Sequence, residues 1–508
     1  MSMRSMIGLI GMTMENRRWW LALVVMAAGM FVGPRPEGVA DGATARPNVL
    51  WFVVDDMSAD FSCYGGRRVA TPHVDRLARE GTLFEHAFTT APVCSPSRSA
   101  LITGMVQTAI GAEHHRSGRG VLKIELPPGV RPLPAMLKDA GYHTCIGDGL
   151  GVSGDGQFGK TDYNFQWDRA IYDASDWGAR QPGQPFFMQV MLPGGKLRGE
   201  SIESIRALSK RAIDTFGAAV GPDDVDLPPY LPRDPVLLED HAAYLSAVRF
   251  TDAHVGLVLA RLEAEGILDD TVVIFMTDHG ISHARGKQFL YDEGTRIPLV
   301  VRGPGIPRGV RRSDLVMQID LAAITLAAAG VPQPASMQAR NPFAPGSEPR
   351  EAVFAARDRC DETVDRIRSV RTPTWLYVRN FHPRRPHLQP NAYKDGKAIV
   401  QRLRELHAKG SLNPLQEQFL FAAQRPEEEL YAWPEDRHQL RNLAADPAHA
   451  AELADLRRQL EGWMAACGDS GPEPEAMYDS DMSVYLAPGR PEVERNIATM
   501  KAWWTEGK

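Results

Sequence analysis

The chain has 508 residues, 44% of them hydrophobic and 24% charged, a balance ordinary for a globular protein. That length exceeds one small core and suits a large α/β domain with a smaller one, or two fused domains. A net charge of −6 at pH 7 leaves no global basic footprint, which argues against nucleic acid as the partner.

The first feature in chain order is Arg17-Arg18 followed by the apolar run WWLALVVMAAGMFV (19–32). The run is shorter than the ~20 residues that a bilayer-spanning helix needs and matches a signal-peptide core. Small residues follow in GVADGATA, with candidate cleavage after Ala40 or Ala45. Residues 1–45 are therefore expected to be a signal peptide and leader. The body is expected to be exported, periplasmic or extracellular, with no stable membrane span after processing. An uncleaved anchor is the alternative.

RPNVLWFVVDDMS (46–58) is an apolar run that ends in Asp55 and Asp56, which predicts a buried parallel strand with both carboxylates at its C-terminal end. VDRLAREG (74–81) predicts a helix stopped by glycine, and LPAMLKDAGYHTCIG (133–147) a helix, a glycine stop and a strand. A long amphipathic helix is predicted over 243–268, then buried strands in TVVIFMTDHG (271–280) and IPLVVRGPG (297–305). This alternation predicts a mixed, mostly parallel sheet sandwiched by helices, over residues 46–346. Ligands gather at the carboxyl ends of such strands, where Asp55, Asp56, Asp278 and His279 fall. From residue 347 the character changes. EAVFAA, IRSVRT and WLYVRNF read as short strands of a smaller antiparallel sheet, and 449–466 reads as a closing amphipathic helix, so 347–508 is expected to be a smaller α+β domain.

Three carboxylates and an imidazole at neighbouring strand ends would repel one another without a cation. Hard oxygen donors with one imidazole suit calcium or magnesium. Helix capping and salt bridging is the alternative reading. The five cysteines, at 63, 94, 145, 360 and 467, are scattered and include no CxxC pair, which argues against a zinc–thiolate site. At most one or two bridges are expected, with at least one thiol left over. Cys94 lies four residues before Arg98, a setting that fits either a reactive thiol or a small buried residue.

CSPSR (94–98) followed by ALITG closely resembles the Cys-x-Pro-x-Arg signature of the type I sulfatases of the alkaline phosphatase superfamily. NVLWFVVDDMS resembles that family's opening strand and metal aspartates. DHGISHARGKQFLYDEGTRIPLVV (278–301) resembles its second metal motif and downstream lysine, and EELYAWPEDRHQLRNLAADP (428–447) its C-terminal stretch. Some features are similar to the sulfamidase branch. The resemblance implies that a formylglycine-generating enzyme oxidises Cys94 to formylglycine, whose hydrate is the nucleophile. It implies that Asp55, Asp56, Asp278 and His279, with residue 94, hold Ca2+ (Mg2+ being less expected), that Arg98 holds the hydrate, and that Lys287 contacts the sulfate or leaving oxygen. The implied substrate is a sulfated sugar or polysaccharide, O- or N-sulfated.

The chain also departs from that family. Where many members carry Gly-Lys-x-His, either Asp148 takes the lysine's place or, if DGLGVSGDGQF (148–158) is an insertion, Lys160 is the match and Asp162 replaces the histidine. Lys196 stands where a general-acid histidine is usual, nine residues after Phe187, and is a poorer proton donor near neutral pH. His114, His115 and Arg116 are candidates for a base or for a sugar site, or are solvated loop residues. Arg357 and Arg359, in RDRCDE, are read either as contacts to a polyanionic substrate or as a salt-bridged sheet edge. Two other readings compete: a phosphate or phosphonate hydrolase of the same superfamily, and a catalytically impaired sulfatase-fold protein that binds sulfated glycans.

Overall fold

A computed structural model describes residues 46–151, 159–469 and 471–508. The proposed leader (1–45) and most of the proposed insertion (152–158) lie outside the described residues. Residues 46–508 form one compact unit built on two sheets.

Seven strands make the larger sheet: β1 (Asn48–Val54), β2 (Thr82–Phe88), β3 (His143–Gly147), β4 (Phe186–Leu192), β5 (Thr271–Thr277), β6 (Arg296–Arg302) and β7 (Val310–Met317), in the order β3-β4-β1-β5-β6-β2-β7. All neighbours run parallel except β6, which is antiparallel to both β5 and β2. The link from β5 to β6 explains its direction. It holds only the four-residue helix Asp292–Thr295, which is no crossover, so the chain turns back instead of returning to the starting edge. The mixed, mostly parallel expectation holds.

β1 shows why this sheet is buried on both faces. Val49, Trp51 and Val53 face one apolar layer, and Leu50, Phe52 and Val54 face the other, following the two-residue period of a strand. The first layer includes Leu101 and Ile102 of the helix Cys94–Thr103, with Leu321 and Leu326 of the helix Asp320–Ala329. The second is closed by the helices Pro72–Glu80 and Pro235–Ala264. The long helix starts eight residues before the predicted position. Asp234 caps it by accepting from the Val236 N–H (3.0 Å), and Pro235 fills the first helical position, where a missing N–H removes nothing.

The second sheet is fully antiparallel: β8 (Val353–Arg357), β9 (Ile367–Arg371), β10 (Leu376–Asn380) and β11 (Glu428–Tyr431), in the order β11-β10-β9-β8. One face, with Val353, Ile367, Leu376 and Tyr431, packs on Phe88, Met317, Phe289 and Tyr291 of the larger sheet's side. The other face, with Val370, Tyr377 and Leu430, packs on Leu456 and Leu460 of the helix Ala450–Ala466. That helix does not close the chain, because Glu475–Leu486 and Pro491–Thr505 follow it. All five cysteines are free.

Register places the strand ends. Val54 pairs with Thr277 on one side and Leu192 on the other, so Asp55-Asp56, Asp278-His279 and the turn after β4 leave the sheet side by side. Gly194 and Gly195 let that turn pass against the backbone of the aspartates: a Cβ on Gly195 would stand 2.2 Å from the Asp56 carbonyl oxygen, and Gly194 has φ +50°. The close approach delivers Lys196. Gly195→Ala is expected to lower stability by roughly 1–3 kcal/mol, as overpacking does. Scanning calorimetry should show a lower unfolding midpoint, and an unchanged midpoint would mean that the turn has room.

Candidate active site

Four segments supply the centre. β1 ends in Asp55 and Asp56, β5 ends in Asp278 and His279, the turn after β4 carries Lys196, and the helix Cys94–Thr103 begins at Cys94. This helix is buried along its whole length, and Arg98 lies one turn beyond Cys94 on the same face. Its N-terminus points partial positive charge at the centre, which favours an anion there.

Cys94 Sγ is the hub of the contacts. It lies 3.2 Å from Lys287 Nζ, 3.3 Å from His279 Nε2, 3.6 Å from Lys196 Nζ and 3.7 Å from Asp56 Oδ1. Lys287 Nζ also donates to Asp56 Oδ1 at 3.0 Å, and Lys196 Nζ to Asp55 Oδ2 at 2.5 Å. Arg98 pairs with Asp55 and, through Nε, with Asp278 Oδ2 at 3.1 Å. Asp278 Oδ1 accepts from the Asp56 N–H at 3.1 Å, which holds Asp56 in a left-handed conformation (φ 53°) rare for a side-chain-bearing residue.

Lys160 Nζ reaches Asp55 Oδ2 at 3.1 Å, whereas Asp148 turns its carboxylate to the Leu150 N–H. The structure therefore brings Lys160 into the cluster and leaves Asp148 in its own loop. Asp162 takes part indirectly, 3.6 Å from Lys160 and paired with Arg119.

Charge balance sets the protonation states. Burial alone would raise the carboxyl pKa values, but Arg98, Lys160 and Lys196 outweigh it at Asp55, and Lys287 and Lys196 outweigh it at Asp56, so both are held well below the usual carboxylate range. Burial likewise opposes ionisation of the Cys94 thiol, yet Lys160, Lys287 and Lys196 bring it down to about 7. Lys287 goes the other way: Asp56 and Cys94 overcome its burial and hold it above the usual lysine range. His279 Nδ1 lies 2.9 Å from the Gly280 carbonyl oxygen, which can only accept. Nδ1 therefore carries a proton, and Nε2 faces Cys94 Sγ and Asp56 Oδ1 (3.2 Å), where burial is outweighed by Asp278 and Cys94, which raise the pKa of the ring.

The neighbouring loop is placed differently from its sequence reading. His114 and His115 are buried, and burial drops both to about 3, so each is neutral at pH 7. His114 packs against Arg359 and Glu473, with Nδ1 3.9 Å from Glu473 Oε2 and 3.4 Å from the Arg359 backbone N. His115 stands closer to the chemistry, with Nδ1 2.9 Å from the hydroxyl of Ser95, next to Cys94. The same hydroxyl accepts from the Arg116 N–H, whose side chain is exposed. His115, Cys360 and Asp361 also converge, but Ser95, Gln288 and Tyr485 already hydrogen-bond them in turn.

Arg357 and Arg359 are buried and engaged in internal ion pairs, as the salt-bridge reading expects. Arg359 is 1% exposed and pairs with Glu473 (2.7 Å) and Asp481 (2.6 Å), while Arg357 pairs with Asp365 (2.6 Å). The charge-rich stretch reads as surface in the sequence, but the helix Glu475–Leu486 and the segment before it fold over it and bring matching carboxylates. Arg359→Met leaves Glu473 and Asp481 without that buried cation, at an expected cost of about 3–5 kcal/mol. Thermal unfolding should show a large loss, and a stable variant would refute the structural assignment.

Sequence reasoning missed the wall supplied from beyond the second sheet's β10. Tyr393, on the short helix Ala392–Asp395, brings its hydroxyl to 3.4 Å from Asp56 Oδ2, and its ring lies 5.0 Å from Lys287 Nζ. Lys394 Nζ donates to the carbonyls of His283, Ala284 and Lys287, pinning the Lys287 segment.

Comparison with known proteins agrees with this architecture. The sulfatase family model matches residues 47–331. An ulvan-active sulfatase of Formosa agariphila is 32% identical over 469 residues, covering 85% of this chain and 77% of that protein. The N-sulphoglucosamine sulphohydrolase of Homo sapiens is 29% identical over 476 residues, covering 82% and 90%. Among solved structures, one of a protein in complex with its substrate D-glucosamine-2-N,6-O-disulfate superposes with a TM-score of 0.58 at 18% identity, covering 84% of this chain and 99% of that one, which speaks for the fold. A family model spanning more than half of the chain, and a relative above 30% identity over most of it, show that the chain belongs to the sulfatase family.

Proposed function

We propose that this sulfatase removes sulfate, O- or N-linked, from a sulfated carbohydrate, using formylglycine made from Cys94 and a bound Ca2+. The observation that carries the reading is the position of Cys94 Sγ, at the start of a buried helix and within 3.6 Å of two lysine ammonium groups and one imidazole.

The donor set fits a divalent ion. Asp55, Asp56 and Asp278 offer hard oxygens, and His279, its Nδ1 turned to the Gly280 carbonyl, offers Nε2. These four would hold the ion, with residue 94 beside it. When present, the ion and the aldehyde hydrate would supply Lewis-acid polarisation and a nucleophilic oxygen.

The chain's own residues do the rest. Arg98, anchored by Asp55 and Asp278, fixes the helix start against the strand ends. Lys287 and Lys196 both stand beside residue 94, where they neutralise the oxygens of an anionic sulfuryl group as charge moves onto the leaving atom. Lys160 adds positive charge through Asp55. Four cationic side chains around three carboxylates leave a positive excess that suits a sulfate ester. His115, neutral and coupled to Ser95, and the exposed Arg116 are placed for the sugar side. His114, Arg357 and Arg359 are left out of the catalytic set.

The carbohydrate assignment rests on the two relatives, one named for ulvan and one for N-sulphoglucosamine. Export, and maturation by a formylglycine-generating enzyme, belong to the same reading. No helix among the described residues is long and apolar enough to cross a membrane.

The test is sulfate release from ulvan and from N-sulfoglucosamine by protein made in a host that converts such cysteines. Wild-type protein should release sulfate, chelation should abolish release, and Lys287→Ala should lower kcat by about 10²–10³, as loss of one preorganised charge-stabilising group does. Release of phosphate or phosphonate instead of sulfate, across a panel of esters, would contradict the proposal.

A further inference from the structure

Lys397 opens the helix Ala398–Ala408 and is only 7% exposed, yet among the described residues its ammonium makes no ion pair. The buried cations around it differ. Arg198 is held by Asp240 (2.9 Å), Lys287 by Asp56 (3.0 Å), and Lys394 by three carbonyls. What Lys397 does have is an aromatic ring: its Nζ lies 4.6 Å from the centroid of Tyr393. The same ring meets Lys287 at 5.0 Å, and Lys287 touches Cys94 Sγ. One tyrosine thus links the unpaired ammonium to the catalytic centre. The charged groups that act on it are Arg198, Asp56, Glu200 and Lys287, and Lys394 and Asp240 sense it as well.

Its position is fixed. The Ala398 N–H donates to the Glu200 carbonyl (2.9 Å), and the Lys397 N–H to the Lys394 carbonyl (3.0 Å), tying this corner to the end of the Lys196 turn. Burying an ammonium without a counter-ion is unfavourable. Burial, reinforced by Arg198, lowers the Lys397 pKa to about 8. An anion arriving beside it removes that penalty.

We propose that Lys397, seated on the Tyr393 ring, is an anion-binding subsite that takes a second anionic group of the substrate, a sulfate or a carboxylate, next to the sulfate being cleaved. This rests on the sulfatase reading and extends it: the preferred substrate is a polyanionic sugar rather than a singly sulfated one. The chemistry is a singly charged donor of three N–H groups on an aromatic support, which any compact oxyanion satisfies.

The experiment compares Lys397→Met and Lys397→Arg with wild type, using full-length matured protein. Three probes are turned over: a singly sulfated monosaccharide, a disulfated one, and a sulfated disaccharide bearing a uronic acid. The expected result is at least a tenfold fall in preference (the ratio of kcat/KM values) for a doubly anionic probe over the singly sulfated one. That fall should arise mainly in KM and be largely restored by Lys397→Arg. The probe that suffers identifies sulfate or carboxylate as the second anion. Equal losses on all three probes, or none, would overturn the subsite. A second arm needs no turnover: calorimetric binding of the two doubly anionic probes to Cys94→Ala protein, with and without Lys397→Met. A tenfold weaker affinity without Lys397, in a protein whose matured wild type releases no sulfate, would keep the subsite and remove the sulfatase reading. Normal sulfate release with no change in either arm would do the reverse.

Discussion

Two adjacent carboxylates, Asp55 and Asp56, are buried at the end of β1, and the rest of the centre follows from the need to balance them. Uncompensated, each buried charge would cost several kcal/mol. The balance comes from distant parts of the chain: Arg98 from a helix start, Lys160 from a loop, Lys196 from the turn after β4, and Lys287 from the loop after β5. Each cation is held by a carboxylate and also aims at residue 94 or its neighbours. The cluster that stabilises the aspartates is therefore the one that would receive sulfate.

This constraint explains features that look unrelated. The Gly194-Gly195 pair exists so that Lys196 can approach the Asp55-Asp56 backbone. The left-handed Asp56 is held by the Asp278 carboxylate. The second sheet packs on the first through Phe289 and Tyr291, which flank the Lys287 loop, and the segment beyond β10 adds Tyr393 and Lys394 to the same wall. The C-terminal part of the chain completes the pocket.

The legible parts were those with a local signal. Apolar runs ending in acids marked β1 and β5, and parallel pairing then forced Asp55, Asp56, Asp278 and His279 together. Cys94, Arg98 and Lys287 were visible through short motifs, and Lys196 through its offset from Phe186-Phe187. Tyr393 and Lys397 were not legible, because a four-residue helix and a helix cap carry no periodicity and meet the site only through tertiary packing. Arg357 and Arg359 misled for the opposite reason: charge density suggests solvent until carboxylates from later in the chain are seen to cover it. The direction of β6 depended on a connection too short to cross the sheet, and residue pattern alone does not report that.

The proposed sulfate hydrolysis depends on residue 94 being an oxygen nucleophile rather than a thiol. Peptide mass spectrometry across Cys94, on protein made with formylglycine-generating machinery, tests that directly. The expected result is loss of the cysteine sulfur and a mass matching the aldehyde or its hydrate. An intact thiol at Cys94, while a control sulfatase from the same host is converted, would contradict it.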